Sequence, residues 1–277
     1  MIRNPIVSDV FYPSHPQKLT ETIRGLFTHQ LGPGTIPPLN KKKLDKSVGL
    51  ILPHAGYMYS GPIAAWGLSE VMKIGTPESV MLIGPSHTGM GKPISIWDKG
   101  SWKTPLGELQ IHQSLAQKML SSYEYAQSDF NAHLNEHSLE VQLPLLQFCF
   151  GTDFSIIPIA MMDQRKNTAR ELGQVIHNIA EKESLLIIAS SDLNHYEPHD
   201  QTIMKDQEII DSILTEDIDG LYAAIKEDQI SMCGFGAVAA LVEARIGTPK
   251  LLQHASSGDS GGDFSHVVGY ASLIIHS

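Results

Sequence analysis

Two histidines and a cysteine stand where their side chains could share a metal ion. His54 in ILPHAGYMYSG and His87 in MLIGPSHTGMG each follow a short run rich in Ile, Leu and Val, and Cys233 in SMCGFGAV precedes another apolar stretch. Polar residues just past the end of a buried strand are where open α/β sheets carry their active sites. Neutral imidazole and thiolate suit Fe(II) or Zn(II) when rigid elements make the ligands converge. His54, His87 and Cys233 are therefore the candidate ligands, set against the plainer alternatives of a hydrogen-bonded loop histidine and a small buried cysteine. Cys149 in LLQFCFG takes the plainer reading. Cys233 differs because CGFG opens a helix, whose unpaired N–H groups favour a thiolate.

A third segment, SSDLNHYEPH, carries Asp192 and His195 just past an apolar run. They suit a carboxylate–imidazole pair, the carboxylate orienting the ring and the ring moving a proton, with a turn capping the strand as the alternative. HLNEHSLE places His133, His137 and Glu140 at helical spacing but is not H-E-x-x-H, because Glu136 directly precedes His137. A helix N-terminus is the simpler reading, with His137 and Glu140 as candidates to stand beside the metal ligands. GDSGG at Gly258 to Gly262 invites a serine-protease reading, but the alternating strand–helix pattern excludes a double β-barrel. A glycine-rich turn joining two strands is expected instead.

The elements that must position these residues follow from the apolar pattern. Residues 16 to 30 suit a first helix, and LGPGTIPPLNKKK is a Gly/Pro-rich loop. SVGLILPHA reads as a strand, 61 to 74 as a helix and SVMLIGPSH as the next strand, a βαβ unit with adjacent parallel strands. PISIWDKGSWKTPLGELQI is a β-excursion, and residues 113 to 122 and 136 to 150 suit helices. FSIIPIAMM, a helix over 165 to 182 and SLLIIASSDL repeat the pattern, followed by helices over 200 to 214, 217 to 227 and 235 to 247. KLLQHASS and HVVGYASLII finish the chain as strands. One α/β domain over residues 1–277 is expected, a three-layer sandwich with a mostly parallel mixed central sheet flanked by helices.

Composition excludes several function classes. With 42% apolar and 18% charged residues the chain suits a packed globular protein rather than a disordered one. A net charge of −10 gives no case for nucleic acid, and KKKLDK at Lys41 to Lys46 reads as a solvated loop. Two cysteines are too few for a disulfide scaffold, MIRNPIVSDVFYP lacks a signal-peptide core, and a cytoplasmic protein is expected. No apolar stretch approaches the roughly 20 residues of a membrane span.

Taken in order, FYP, PHAGYMYSG, GPSHTG, NEHSLEVQLP, SSDLNHY, CGFGA and SGDSGGD resemble the Memo family, from about residue 11 to residue 272. That family is similar in structure to class III extradiol ring-cleavage dioxygenases, which hold non-haem Fe(II) with two histidines and a carboxylate. The resemblance implies His54 and His87 as metal ligands, Cys233 at the third position, and Asp192 and His195 as polar residues of the cleft, with Tyr57 and Tyr59 lining it. A thiolate in place of the carboxylate softens the site and opens it to zinc or copper as well as iron. The function implied is a metal-dependent redox enzyme of the non-haem iron type, taking a small aromatic or related oxidisable substrate and O2. Its setting in bacteria and archaea implies a radical-SAM partner. Two other classes compete: a binding protein for phosphotyrosine peptides or other ligands using the same cleft, and a zinc-dependent hydrolase.

Overall fold

The structure, a computed structural model, describes residues 1–277. A short edge strand β1 (Ile2–Arg3) leads to α1 (Pro16–Thr28), which starts on a proline whose fixed φ and missing N–H suit the first helical position. Then come β2 (Val48–Leu52), α2 (Tyr57–Ile74) and β3 (Ser79–Pro85). The excursion is β4 (Ile94–Ile96), β5 (Ser101–Thr104) and β6 (Gly107–Ile111), followed by α3 (Gln113–Ser122) and β7 (Ala126–Ser128). Helices α4 (Asn131–Leu134) and α5 (Gln142–Phe150) precede β8 (Ser155–Met161), α6 (Lys166–Ala180) and β9 (Leu186–Ser190). After β10 (His195–Glu197) come α7 (His199–Leu214), α8 (Ile218–Glu227) and α9 (Phe235–Glu243). The chain ends with β11 (Thr248–Ser256), α10 (Ser257–Gly261) and β12 (Val267–His276).

All strands join one 12-stranded mixed sheet whose main path runs β1-β5-β6-β8-β3-β9-β2-β12-β10. Its centre, β6-β8-β3-β9-β2, is parallel throughout, and β12 closes it antiparallel to β2. Strand alternation sends neighbouring residues to opposite faces. Ile51, Met81, Ile83 and Ile187 enter one core with α6 and α9, while Leu50, Val80, Leu82 and Ile188 enter the other with α1, α2 and α5. The two cores hold 39 and 33 buried residues, so both faces of the sheet are covered to a similar degree, as a three-layer sandwich requires.

Three expectations are corrected. β2 and β3 are not neighbours: β9 lies between them and pairs with both. The helix expected over 136–150 starts only at Gln142, and the residues between it and α4 form a turn, because a helix extended back through Pro144 would drive its ring into the carbonyl of Glu140. The expected GDSGG turn is the short helix α10, nucleated by a capping box in which Ser256 and Asp259 satisfy each other's main-chain N–H groups.

Candidate metal centre

The C-terminal ends of β2, β9 and β3 lie side by side, and the segments that leave them form the site. Leu52 pairs with Ser190 and Ile83 with Ala189, so His54 and Asp192 emerge together with the His87 loop on the far side of β9. The fourth contributor is the turn between α4 and α5. It reaches the sheet over Gly84, where a Cβ would stand 2.8 Å from both Leu139 and the Ser138 hydroxyl. A side chain at position 84 would have to push both aside, and the close approach brings Glu136 and His137 up to His87.

Ligand atoms of His54, His87 and His137 all lie within 4.8 Å of one another. The rings of His87 and His137 stack at 4.5 Å, and His54 meets both edge-on at 5.2 and 5.4 Å. Exposure grades from buried His54 through half-buried His137 to His87 at the surface, leaving one side of the trio open. Burial, then the nearby His137 and His87 rings, holds His54 well below the ordinary imidazole range. Burial likewise lowers His137, against the opposing pull of Glu136. Both are neutral at neutral pH, the form that ligates a metal.

Hydrogen bonds fix which nitrogen each of two rings presents. The one hydroxyl proton of Ser190 goes to the Ser138 carbonyl at 2.7 Å, and its oxygen accepts from Gln142 Nε2 at 2.9 Å. His54 Nδ1, 2.9 Å from that oxygen, must therefore donate, which leaves Nε2 with a free lone pair. His87 Nδ1 sits 2.8 Å from Glu136 Oε1, and a carboxylate only accepts, so His87 also presents Nε2. Burial acts to raise Glu136, but the His87 hydrogen bond and charge outweigh it and hold the carboxyl at about 2. The anchor is thus ionised across the physiological range.

Cys233 lies against this arrangement, its Sγ 3.1 Å from His54 Nε2 and accepting the Asp192 main-chain N–H at 3.2 Å. Burial pushes its thiol up, with the nearby Asp192 charge acting in the same direction, and this outweighs the helix-terminus effect expected from the sequence. A coordinated divalent ion would deprotonate it outright. Asp192 is also buried, and burial raises it to about 7 against the N–H groups of His54 and Ala55 that favour its charge.

The remaining residues read from the sequence fall in different places. Asp192 Oδ1 accepts the His54 main-chain N–H at 2.7 Å, and no hydrogen bond joins Asp192 to His195. The His195 main-chain N–H donates to Ser231 Oγ at 2.8 Å, while its Nδ1 is buried without a partner. Burial lowers His195, opposed by hydrogen bonds and the Asp206 charge. Tyr57 opens helix α2, which starts at that residue and not at Gly61; its buried hydroxyl donates to the Val141 carbonyl. Tyr59 is exposed and lines a cavity of about 460 Å³ with Ser257, Asp263, His266 and Tyr270. Glu140 turns away from the histidines: its carboxylate accepts from Arg3 Nη1 at 2.6 Å, from Tyr12 Oη at 2.6 Å, and from the main chain of Ile6 and Val7. It ties the N-terminal segment to the turn that carries Glu136. Ser190, Ser138 and Gln142, which fix the tautomers, were not singled out; Ser190 ends a buried apolar strand and Gln142 interrupts an apolar run, the signals that could have marked them.

A family model described as "Memo-like protein" matches residues 3–274. The chain belongs to the Memo-like protein family. Among its Memo relatives, the "MEMO1 family protein" of Thermotoga neapolitana is 47% identical over 277 residues, covering 99% of this chain and 100% of that one. The "MEMO1 family protein" of Sulfolobus acidocaldarius is 43% identical over 280 residues, covering 99% of each. A crystal structure of an uncharacterized Escherichia coli K12 protein shares the fold of this Memo protein, with TM-score 0.59 at 10% identity over 83% of this chain and 100% of that chain. No helix of this Memo protein is long and apolar enough to cross a membrane.

Proposed function

We propose that this Memo-family protein is a metal-dependent oxidoreductase of the non-haem iron type, acting on a small aromatic or related oxidisable substrate. The observation carrying this reading is the convergence of His54, His87 and His137, with His54 and His87 each locked through Nδ1 so that Nε2 is free. Three imidazoles with a thiol alongside fit a first-row divalent ion. In this reading His54 and His87 hold the ion, and His137 and Cys233 compete for the third position. A bound Fe(II) would supply redox chemistry toward O2. His195 takes the substrate proton, and Asp192, raised to about 7, stores or returns a proton beside His54.

Zinc-dependent hydrolysis is the second reading, favoured by the three-imidazole set itself, which also suits a zinc-activated water. The deciding experiment is purification without oxygen, elemental analysis, and assay with catechol-like substrates in an O2 electrode. Near-stoichiometric iron with O2 uptake that vanishes in His54→Ala supports the oxidoreductase. Metal-dependent ester cleavage under nitrogen supports the hydrolase. A loaded protein that does neither overturns both.

A further inference from the structure

Outside the metal centre, the most deeply buried carboxylate without a stabilising cation of its own chain neighbours is Asp206 on α7. Its side chain is fully buried, and its polar contacts are to His254 and to the segment that carries His195. Oδ2 lies 2.9 Å from His254 Nε2, on β11, and Oδ1 accepts the Asn194 main-chain N–H at 2.9 Å. The carboxylate occupies the space over Gly269, where a Cβ would stand 1.8 Å from Oδ2, so any side chain there would displace it. Gly269 brackets the same segment, accepting from Leu193 N and donating to Asn194 O, both at 2.8 Å.

From Asn194 the connection continues. Its Oδ1 accepts from the Ser231 main chain at 3.1 Å and from Ser231 Oγ at 3.2 Å, and Ser231 Oγ accepts the His195 N–H at 2.8 Å. Its Nδ2 donates to Glu197 Oε2 at 2.6 Å, and Lys205 holds the other oxygen of Glu197 at 2.8 Å. The segment so gripped is strained. Tyr196 has φ +62, a left-handed conformation that L residues adopt at a cost of about 1–2 kcal/mol, and the ladder with β12 shifts register there. Such backbone persists only where its surroundings over-determine it.

We propose that Asp206 and His254 are positioning residues for His195, acting through Asn194 and Ser231 to hold the strained segment that presents its ring to the metal centre. This rests on the proton-transfer role assigned to His195 above, and it adds to that role a hydrogen-bonded carboxylate–imidazole pair outside the metal centre. His254 fixes one carboxylate oxygen so that the other is held on Asn194. Asn194 then spends its side chain on both flanks of His195, through Ser231 on one side and Glu197 on the other.

The test uses the full chain in its metal-loaded form. Asp206→Ala removes the acceptor two links away from His195, and Ser231→Ala, at an exposed position, removes the last link with little risk to folding. Amide hydrogen exchange at His195 is expected to accelerate at least about tenfold in both variants, while amides of β2 and β9 keep their protection. Turnover is expected to fall about 10- to 100-fold in kcat with KM and metal content unchanged, and the double variant is expected to lose no more than the larger single loss. His254→Gln, which keeps a side-chain N–H for Asp206, is expected to retain most of the turnover that His254→Leu loses. Native exchange at the His195 amide in Asp206→Ala overturns the positioning role, whatever the turnover. Accelerated exchange with native kcat upholds the positioning and refutes the proton role of His195.

Discussion

Replacing Glu136 by glutamine tests whether the anchor on His87 governs metal binding. The carboxylate accepts three N–H donors: the His87 main chain at 2.6 Å, His87 Nδ1 at 2.8 Å and the Ser138 main chain at 2.9 Å. An amide of the same shape has one acceptor oxygen. Its NH2 group must therefore face either the His87 main-chain N–H or His87 Nδ1. In the first case a buried donor loses its partner. In the second the ring moves its proton to Nε2 and turns a donor toward His54 and His137. Either way a hydrogen bond to a charged group is lost, worth about 1.5–3 kcal/mol. At about 1.4 kcal/mol per decade, affinity should weaken roughly 10- to 100-fold, the range typical for partners that orient metal-binding histidines. The assay is competition between the protein and a chromophoric chelator for Zn(II) or Co(II), with thermal melting to confirm that the variant folds. Affinity within twofold of native in a folded variant would refute the argument that the Nδ1 anchor sets the face His87 presents.

Three further outcomes follow from the same geometry. Glu140→Leu leaves Arg3 buried and uncompensated and strips Tyr12, Ile6 and Val7 of their acceptor, so unfolding by denaturant should show a loss of about 3–5 kcal/mol; a loss below about 1 kcal/mol would contradict the tethering role. Glu136 is depressed from an ordinary 4.5 to about 2, so its stabilising contribution, on the order of 3 kcal/mol, is complete above the unfolded value and disappears as pH falls through about 2. Native protein should therefore lose more stability between pH 5 and pH 2 than Glu136→Gln does, and parallel acid profiles would exclude this source. Tyr196→Gly relieves left-handed strain of about 1–2 kcal/mol while losing about 0.4–1 kcal/mol to added freedom of the unfolded chain, so its melting temperature should hold or rise; a clear fall would contradict the strained conformation.

Much of the fold was legible because burial on both faces writes apolar runs into β2, β3, β8 and β9, and α3 spans residues 113–122 as its pattern indicates. Sheet order was not, since the insertion of β9 between β2 and β3 depends on pairing over more than 100 residues of sequence, which no local signal encodes. His54, His87 and Cys233 were singled out by position, just past strands or before a helix, and the structure brings all three together. His137 was placed beside the metal ligands and not among them, because its segment was taken as one helix. Pro144 was the available signal that the helix starts late and that residues 135–141 form a turn able to reach the sheet. Glu140 illustrates the reverse case: a carboxylate near histidines in sequence whose partners, Arg3 and Tyr12, lie more than 100 residues away.

The central claim is that His54, His87 and His137 form the core of a metal centre, and metal content measures it most directly. Protein purified without oxygen and reconstituted with iron should bind near one equivalent. His54→Ala, His87→Ala and His137→Ala should each lose most of it, Cys233→Ser should show whether the thiol takes a ligand position, and Cys149→Ser, buried away from the trio, should match the native protein. Equal metal content in the native protein and all three histidine variants would contradict the account.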